Sequence, residues 1–270
     1  MGLRPSEAVM WYNSAVRKLP EHISYSSLGT YLECGWKYNL TKIEEVPEKH
    51  AVWFTGGSAV HKATEIYDLG SNDSLEVIWN RAWNEQVLED ESVYGEMTTW
   101  QCRGIEDTSW WYGEGLWMLE RWVDFRSNGW AVYKDFVEKK YEVPVGDTVV
   151  KLAIDRIMTD FDGNLVLLDI KTGASSQKHP LQLATYAWAL RKNGLEVDKA
   201  GFWDARTGFV SLWNIDHLST DEVETIYTEF DRARKQEIFL PNFNNCGRCG
   251  VLSYCKFMNG NKVEKEKANG

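Results

Sequence analysis

Asn164–Gly173 reads NLVLLDIKTG: an apolar run, Leu165–Leu168, followed by Asp169, Ile170 and Lys171 and then a Thr172–Gly173 break. Residues that are apolar at consecutive rather than alternating positions predict a strand buried on both faces, as at the centre of a sheet. Side chains two apart on a strand share a face, so Asp169 and Lys171 point the same way just where the strand leaves the core. Upstream, KKYEVPVG (139–146) and TVVKLAIDRIMTDFDG (148–163) both alternate. The three segments read as consecutive strands, with Asp160–Asn164 as the hairpin turn between the second and third. That register brings Asp155 near the Asp169 end. Two carboxylates and a main-chain oxygen suit a hard divalent cation such as Mg²⁺ or Mn²⁺. A lysine beside them suits orienting a water and stabilising negative charge that develops at phosphorus.

Helical periods flank the strands. SYSSLGTYLECGWKYNLTK (24–42) spaces Leu28, Tyr31, Leu32 and Trp36 on one face, with Ser26 or Ser27 as N-cap. TGGSAVHKATEIYDLG (55–70) predicts a helix after the glycine pair, with Val60, Ala63, Ile66 and Tyr67 together. Leu75–Leu88 and Ile105–Phe125 read as an inserted helical region. In HPLQLATYAWALRKNG (179–194), Pro180 and the Asn193–Gly194 pair bound a helix of about 12 residues. A strand pair turning around Arg206–Gly208 follows, and then a helix capped by Ser219 or Thr220.

The 270 residues, 43% hydrophobic and 26% charged, describe a globular chain. A net charge of −10, from 30 basic and 40 acidic residues, argues against a protein that coats nucleic acid nonspecifically. It leaves room for an enzyme that holds DNA through metal ions and a local basic track. No apolar run is long enough for a membrane span, and MGLRPSEAVM (1–10) lacks a signal-peptide core, so a cytoplasmic location is expected. Such a chain does not need disulfides, so its clustered cysteines point to metal or redox chemistry. Cys246, Cys249 and Cys255, with Cys34 far upstream, can hold either Zn²⁺ or an iron–sulfur cluster, and their spacing does not decide between them. Cys102 fits no motif and reads as a buried thiol. Trp110, Trp111 and Trp117 could stack bases, though their helical spacing favours core packing.

Taken together, AIDRI (153–157), LLDIKTG (167–173) and QLATY (182–186) resemble the PD-(D/E)XK nucleases of the RecB type. The resemblance implies an α/β, restriction-endonuclease-like core, a mixed central sheet flanked by helices. It implies that Gln182 and Tyr186, one turn apart on a helix, support the metal site. GGSAVHKATE (56–65) is similar to the family's first motif, which makes His61 a metal ligand beside Asp155, Asp169 and the Ile170 main-chain carbonyl, with Lys171 as the catalytic lysine. Glu65, one turn on, is a candidate to orient the imidazole. One branch of the family, including the AddB subunit and the CRISPR-associated single-domain exonucleases, binds a [4Fe–4S] cluster through one N-terminal and three C-terminal cysteines. Cys34, Cys246, Cys249 and Cys255 match them, although Gly35 stands where that branch often has proline. The cluster would staple the two chain ends together.

The resemblance implies a single nuclease domain over 1–270. Within it lie an iron–sulfur module (22–45 and 240–258), a helical insertion (72–130), a catalytic core (136–215) and a flexible tail (259–270). The expected activity is that of an Mg²⁺- or Mn²⁺-dependent DNA exonuclease, on single-stranded DNA by family resemblance. It would serve recombination, repair, DNA degradation or spacer acquisition, in the host cytoplasm if viral. Partners would be DNA, no membrane, and either a second copy of the chain or recombination or CRISPR proteins. The rival readings are an inactive DNA-binding scaffold with the same fold and a zinc-stabilised enzyme.

Overall fold

The structure is a computed structural model that describes residues 18–174, 179–213 and 220–258. The tail at 259–270 and the candidate cap Ser219 lie outside the described residues. In chain order the main elements are α1 (Tyr25–Glu33), α2 (Val52–Asp68), α3 (Leu75–Tyr94), α4 (Thr108–Ser127), β1 (Ala131–Val132), β2 (Lys139–Val145), β3 (Thr148–Ile154), β4 (Arg156–Thr159), β5 (Leu165–Lys171), α5 (Pro180–Lys192), β6 (Lys199–Asp204), β7 (Val210–Trp213) and α6 (Thr220–Lys235). They fall into two compact units. One comprises Lys49–Val143 and Lys151–Glu224; the other draws on Met1–Glu48, Pro144–Val150 and Thr225–Gly270. Among the described residues no helix is long and apolar enough to cross a membrane.

The first unit is built on a five-stranded mixed sheet in the order β1-β4-β5-β6-β7. β5 is its central strand, and Val166–Ile170 are all buried. It runs antiparallel to β4 and parallel to β6. A parallel neighbour requires a crossover, and α5 supplies it. Pro180 opens α5, the His179 ring caps it by accepting from Leu181 N, and Leu181–Leu190 are buried without interruption. A helix apolar on all sides is a core helix. The two faces of β5 have different neighbours. Leu168 and Ile170 pack with Val60, Ala63, Trp79, Trp111 and Trp122 from the α2–α4 layer. Asp169 and Lys171, on the other face, bond Gln182 of α5.

The second predicted strand is two strands. β3 pairs with β2 and β4 with β5, and the chain breaks between them at Asp155. The Asp155 carbonyl accepts from Glu138 N (2.9 Å) and Arg156 Nη1 (2.6 Å) instead of joining a ladder. The Asp160–Asn164 turn does join the strands it was expected to join, now β4 and β5, and the Asp160 carboxylate accepts from Asn164 N at 2.9 Å.

Three local expectations are corrected. α2 begins before the glycine pair and includes it, because the Trp111 ring packs on the helix where any Cβ at Gly56 would lie 2.1 Å from it. Ser24, not Ser26 or Ser27, caps α1, in a reciprocal box with Ser27. Cys102 is exposed rather than buried. Trp111 is fully buried as expected, whereas Trp117 is 60% exposed.

In the second unit, Ser24–Tyr38 and the C-terminal segment meet closely. Asn242 and Asn245 side-chain amides donate to the Glu33 carbonyl (3.0 and 2.7 Å), and Trp36 N donates to Leu240 O (3.3 Å). Gly35 is required here: a Cβ would stand 2.8 Å from Leu240 N. This close backbone approach accounts for the glycine after Cys34.

Gly56→Ala is expected to destabilise the fold by about 1–3 kcal/mol through overpacking. Gly113→Ala in α4, with nothing within 4 Å of the added Cβ, should be neutral or stabilising by up to about 1 kcal/mol. Thermal melts of the two variants check the contrast.

Candidate active site

Four elements of the sheet-containing unit deliver the site. α2 carries His61, the residue before β2 is Glu138, the β3–β4 break presents Asp155, and the end of β5 presents Asp169 and Lys171. His61 Nδ1 lies 3.6 Å from Asp155 Oδ2 and 3.4 Å from Glu138 Oε1. One ligand atom from each of His61, Glu138 and Asp155 falls within 4.8 Å of the others, which makes the trio a candidate cation site. One nitrogen and two carboxylate oxygens form a donor set suited to Mn²⁺ and, through the oxygens, to Mg²⁺.

Asp155 is fixed by an N–H···O bond from Ile170 N at 2.7 Å. At the same end of β5, Lys171 Nζ lies 2.8 Å from Asp169 Oδ2 and donates to Gln182 Oε1 at 2.7 Å. Gln182 Nε2 donates to Asp169 Oδ1 (2.7 Å) and to the Tyr186 hydroxyl (3.0 Å). Gln182 thereby fixes both the acid and the base of the Asp169–Lys171 pair. His61, Asp155, Asp169, Lys171, Gln182 and Tyr186 are linked through these contacts, whereas the four candidate cluster cysteines lie in the other unit. The Glu65 carboxylate instead pairs with Lys62 at 2.9 Å, and the carboxylate beside the His61 imidazole is that of Glu138.

Glu138 had no signal in the sequence. Its φ of 49° places it off the strand that follows, so the alternation of β2 does not predict its direction.

The electrostatics follow from crowding. Burial opposes the charged imidazole of His61, but Asp155, Glu138 and Asp169 outweigh it and hold His61 up at about 9. Burial, reinforced by Asp169 and Glu138, pushes Asp155 up to about 7 against the pull of His61. Burial likewise raises Asp169 despite Lys171. Glu138 alone is lowered: burial pushes it up, and His61 and Arg156 overcome this. A divalent cation would relieve this repulsion, since it adds positive charge where the carboxylates resist ionising together.

In the other unit, Cys34, Cys246, Cys249 and Cys255 line one small cavity with Trp36 and Leu40. None forms a disulfide. Asn242 N donates to Cys34 Sγ at 3.3 Å, and burial pushes the Cys249 thiol up. Four thiols facing one cavity match the donor set of a tetrathiolate metal centre.

Comparison with known proteins places these residues in context. The sequence profile of the PD-(D/E)XK nuclease superfamily matches residues 22–256. The chain is 26% identical over 202 residues to the Gene 69 protein of Mycobacterium phage D29, covering 68% of this chain and 74% of that one. It is 21% identical over 281 residues to the Gene 69 protein of Mycobacterium phage L5, covering 86% and 95%. A solved structure from Eubacterium rectale, provisionally described as an exonuclease, is similar in fold with a TM-score of 0.50 at 11% identity, covering 89% of this chain and 88% of that one.

In EDTA, the His61 imidazole is expected to titrate near 9 rather than at its ordinary 6.5. Because the folded value lies above the unfolded one, its contribution to stability is complete below 6.5 and is lost as pH rises through 9. Asp155→Asn removes the largest raising influence and should bring the midpoint down. NMR of the ring protons checks this, and a wild-type midpoint near 6.5 would contradict the geometry.

Proposed function

The chain belongs to the PD-(D/E)XK nuclease superfamily, and from that premise we propose that it is a metal-dependent DNA exonuclease of the RecB type, acting on single-stranded DNA. The observation that carries the reading is the convergence of His61, Glu138 and Asp155 beside the Asp169–Lys171–Gln182 cluster. His61, Asp155, Asp169 and the Ile170 carbonyl would hold the cation, with Glu138 beside them. When bound, Mn²⁺ or Mg²⁺ polarises the scissile phosphate and stabilises the leaving oxygen.

The protein's own groups do the rest. An ammonium has three donors; Gln182 takes one of those on Lys171, Asp169 sits beside it as an ion-pair partner at 2.8 Å, and a remaining donor holds the attacking water or a phosphate oxygen. Gln182 fixes the direction of that ammonium, and Tyr186 fixes Gln182. The buried root of β5 limits drift of the lysine, so its charge is preorganised for the charge that builds on phosphate.

The same reading assigns a [4Fe–4S] cluster to Cys34, Cys246, Cys249 and Cys255, with a structural role between the chain ends. The two phage relatives support a viral setting; within it, the proposed role is phage recombination or host-DNA breakdown in the host cytoplasm.

Labelled single-stranded DNA incubated with Mn²⁺ should be degraded, and EDTA should stop the reaction. Lys171→Ala should slow it by about 10²-fold or more. Equal rates for the wild type and the variant would reject the mechanism. Substrates blocked at one end read the polarity. For the cysteine cavity, the purified protein should be brown and contain iron and sulfide, and Cys34→Ser should bleach it. A colourless protein holding zinc would reject the cluster.

A further inference from the structure

We propose that Arg156 is the positioning residue of the cation site, locking Glu138 to the Asp155 main chain so that cation affinity depends on the fork of its guanidinium and not only on its charge. The inference rests on the metal-dependent reading above. Arg156 is 0% exposed, so it cannot reach a substrate phosphate and acts only through its neighbours. Its donors have distinct targets. Nε donates to Asp68 Oδ2 at 2.6 Å, Nη2 to Thr64 Oγ1 at 2.9 Å, and Nη1 to Glu138 Oε1 at 3.1 Å and to the Asp155 carbonyl at 2.6 Å.

One guanidinium nitrogen thus holds both the carboxylate and the backbone that flank His61. Its anchor is itself secured: Asp68 also accepts from Trp122 Nε1 at 3.1 Å and pairs with Arg126. Two carboxylates and two guanidiniums balance, as burial of charge requires. An ion pair that served stability alone would have no reason to spend its forked end on the residues beside the imidazole. Glu138 also needs restraint, because its φ of 49° is unfavourable for a non-glycine residue. Its N–H bond to Asp155 and its carboxylate bond to Arg156 hold it there. A lysine at 156 would carry the charge as a single point and could not span Asp68 and Glu138 together.

The test is a double-mutant cycle read in Mn²⁺ affinity by calorimetry on the full chain, with thermal melts in EDTA alongside. Arg156→Lys should weaken Mn²⁺ binding by about tenfold or more, and Glu138→Gln should do likewise. The double variant should bind more tightly than the two single losses multiplied together would give, because part of the action of Arg156 passes through Glu138. Wild-type affinity in Arg156→Lys, or losses that multiply, overturns the proposal. If Arg156→Lys does not fold, Thr64→Val, which removes the Nη2 contact together with the Thr64 hydroxyl bond to the His61 carbonyl, enters the same cycle, and affinity equal to wild type overturns the proposal. A wild type that binds no Mn²⁺ overturns the metal-dependent reading and this one together. A wild type that binds but gives multiplicative losses overturns this one alone.

Discussion

The hydrogen bond from Ile170 N to the Asp155 carboxylate is the joint on which the site depends. The β4–β5 ladder ends at the Arg156–Leu168 pair. Beyond it, the Asp155 carbonyl is already taken by Glu138 and Arg156. The Asp155 side chain therefore supplies a carboxyl acceptor to the strand end, a charged one once the group ionises. An ionised acceptor makes a stronger bond than a carbonyl, and it aligns Asp155 with β5 at the point where Asp169 and Lys171 emerge. A site that depended on a loop carboxylate would lack this register.

Two cations flank the carboxylates from opposite sides. Lys171 answers Asp169, and Arg156 answers Glu138 and Asp68. Asp155 has neither as a direct side-chain partner, and among the described site residues it is the acid pushed up to about 7. The protein's own charges are thus balanced at the margins of the site and short of positive charge at its middle, where His61 takes up a proton. Proton and divalent cation compete for the same deficit.

The sequence made the sheet centre legible because β5 is apolar at consecutive positions, and it made α5 legible through Pro180 and Asn193–Gly194. It placed Asp155, Asp169, Lys171, Gln182, Tyr186 and His61 because strand and helix periods, together with the resemblance, bring them to one place. It failed where tertiary contacts override local pattern. Residues 148–159 read as one strand, although Asp155 and Arg156 put two charges in succession, and the chain breaks there because the Asp155 carbonyl is claimed from outside the ladder. Arg156 drew no expectation from the sequence; it is buried, because both faces of β4 are covered and Asp68 offers it a partner. The glycine pair reads as a helix boundary, whereas Gly56 only makes room for the Trp111 ring. Glu138 is invisible to any period because a left-handed residue belongs to neither strand nor helix.

The uninterrupted burial of Leu181–Leu190 has a kinetic meaning. A surface helix frays and reopens locally, and its backbone amides exchange with solvent through those openings. A helix with ten consecutive buried residues has no edge from which to open, so its amides exchange only when the surrounding unit unfolds. Gln182 and Tyr186 ride on that helix. The alignment of the lysine they support therefore persists as long as the surrounding core does.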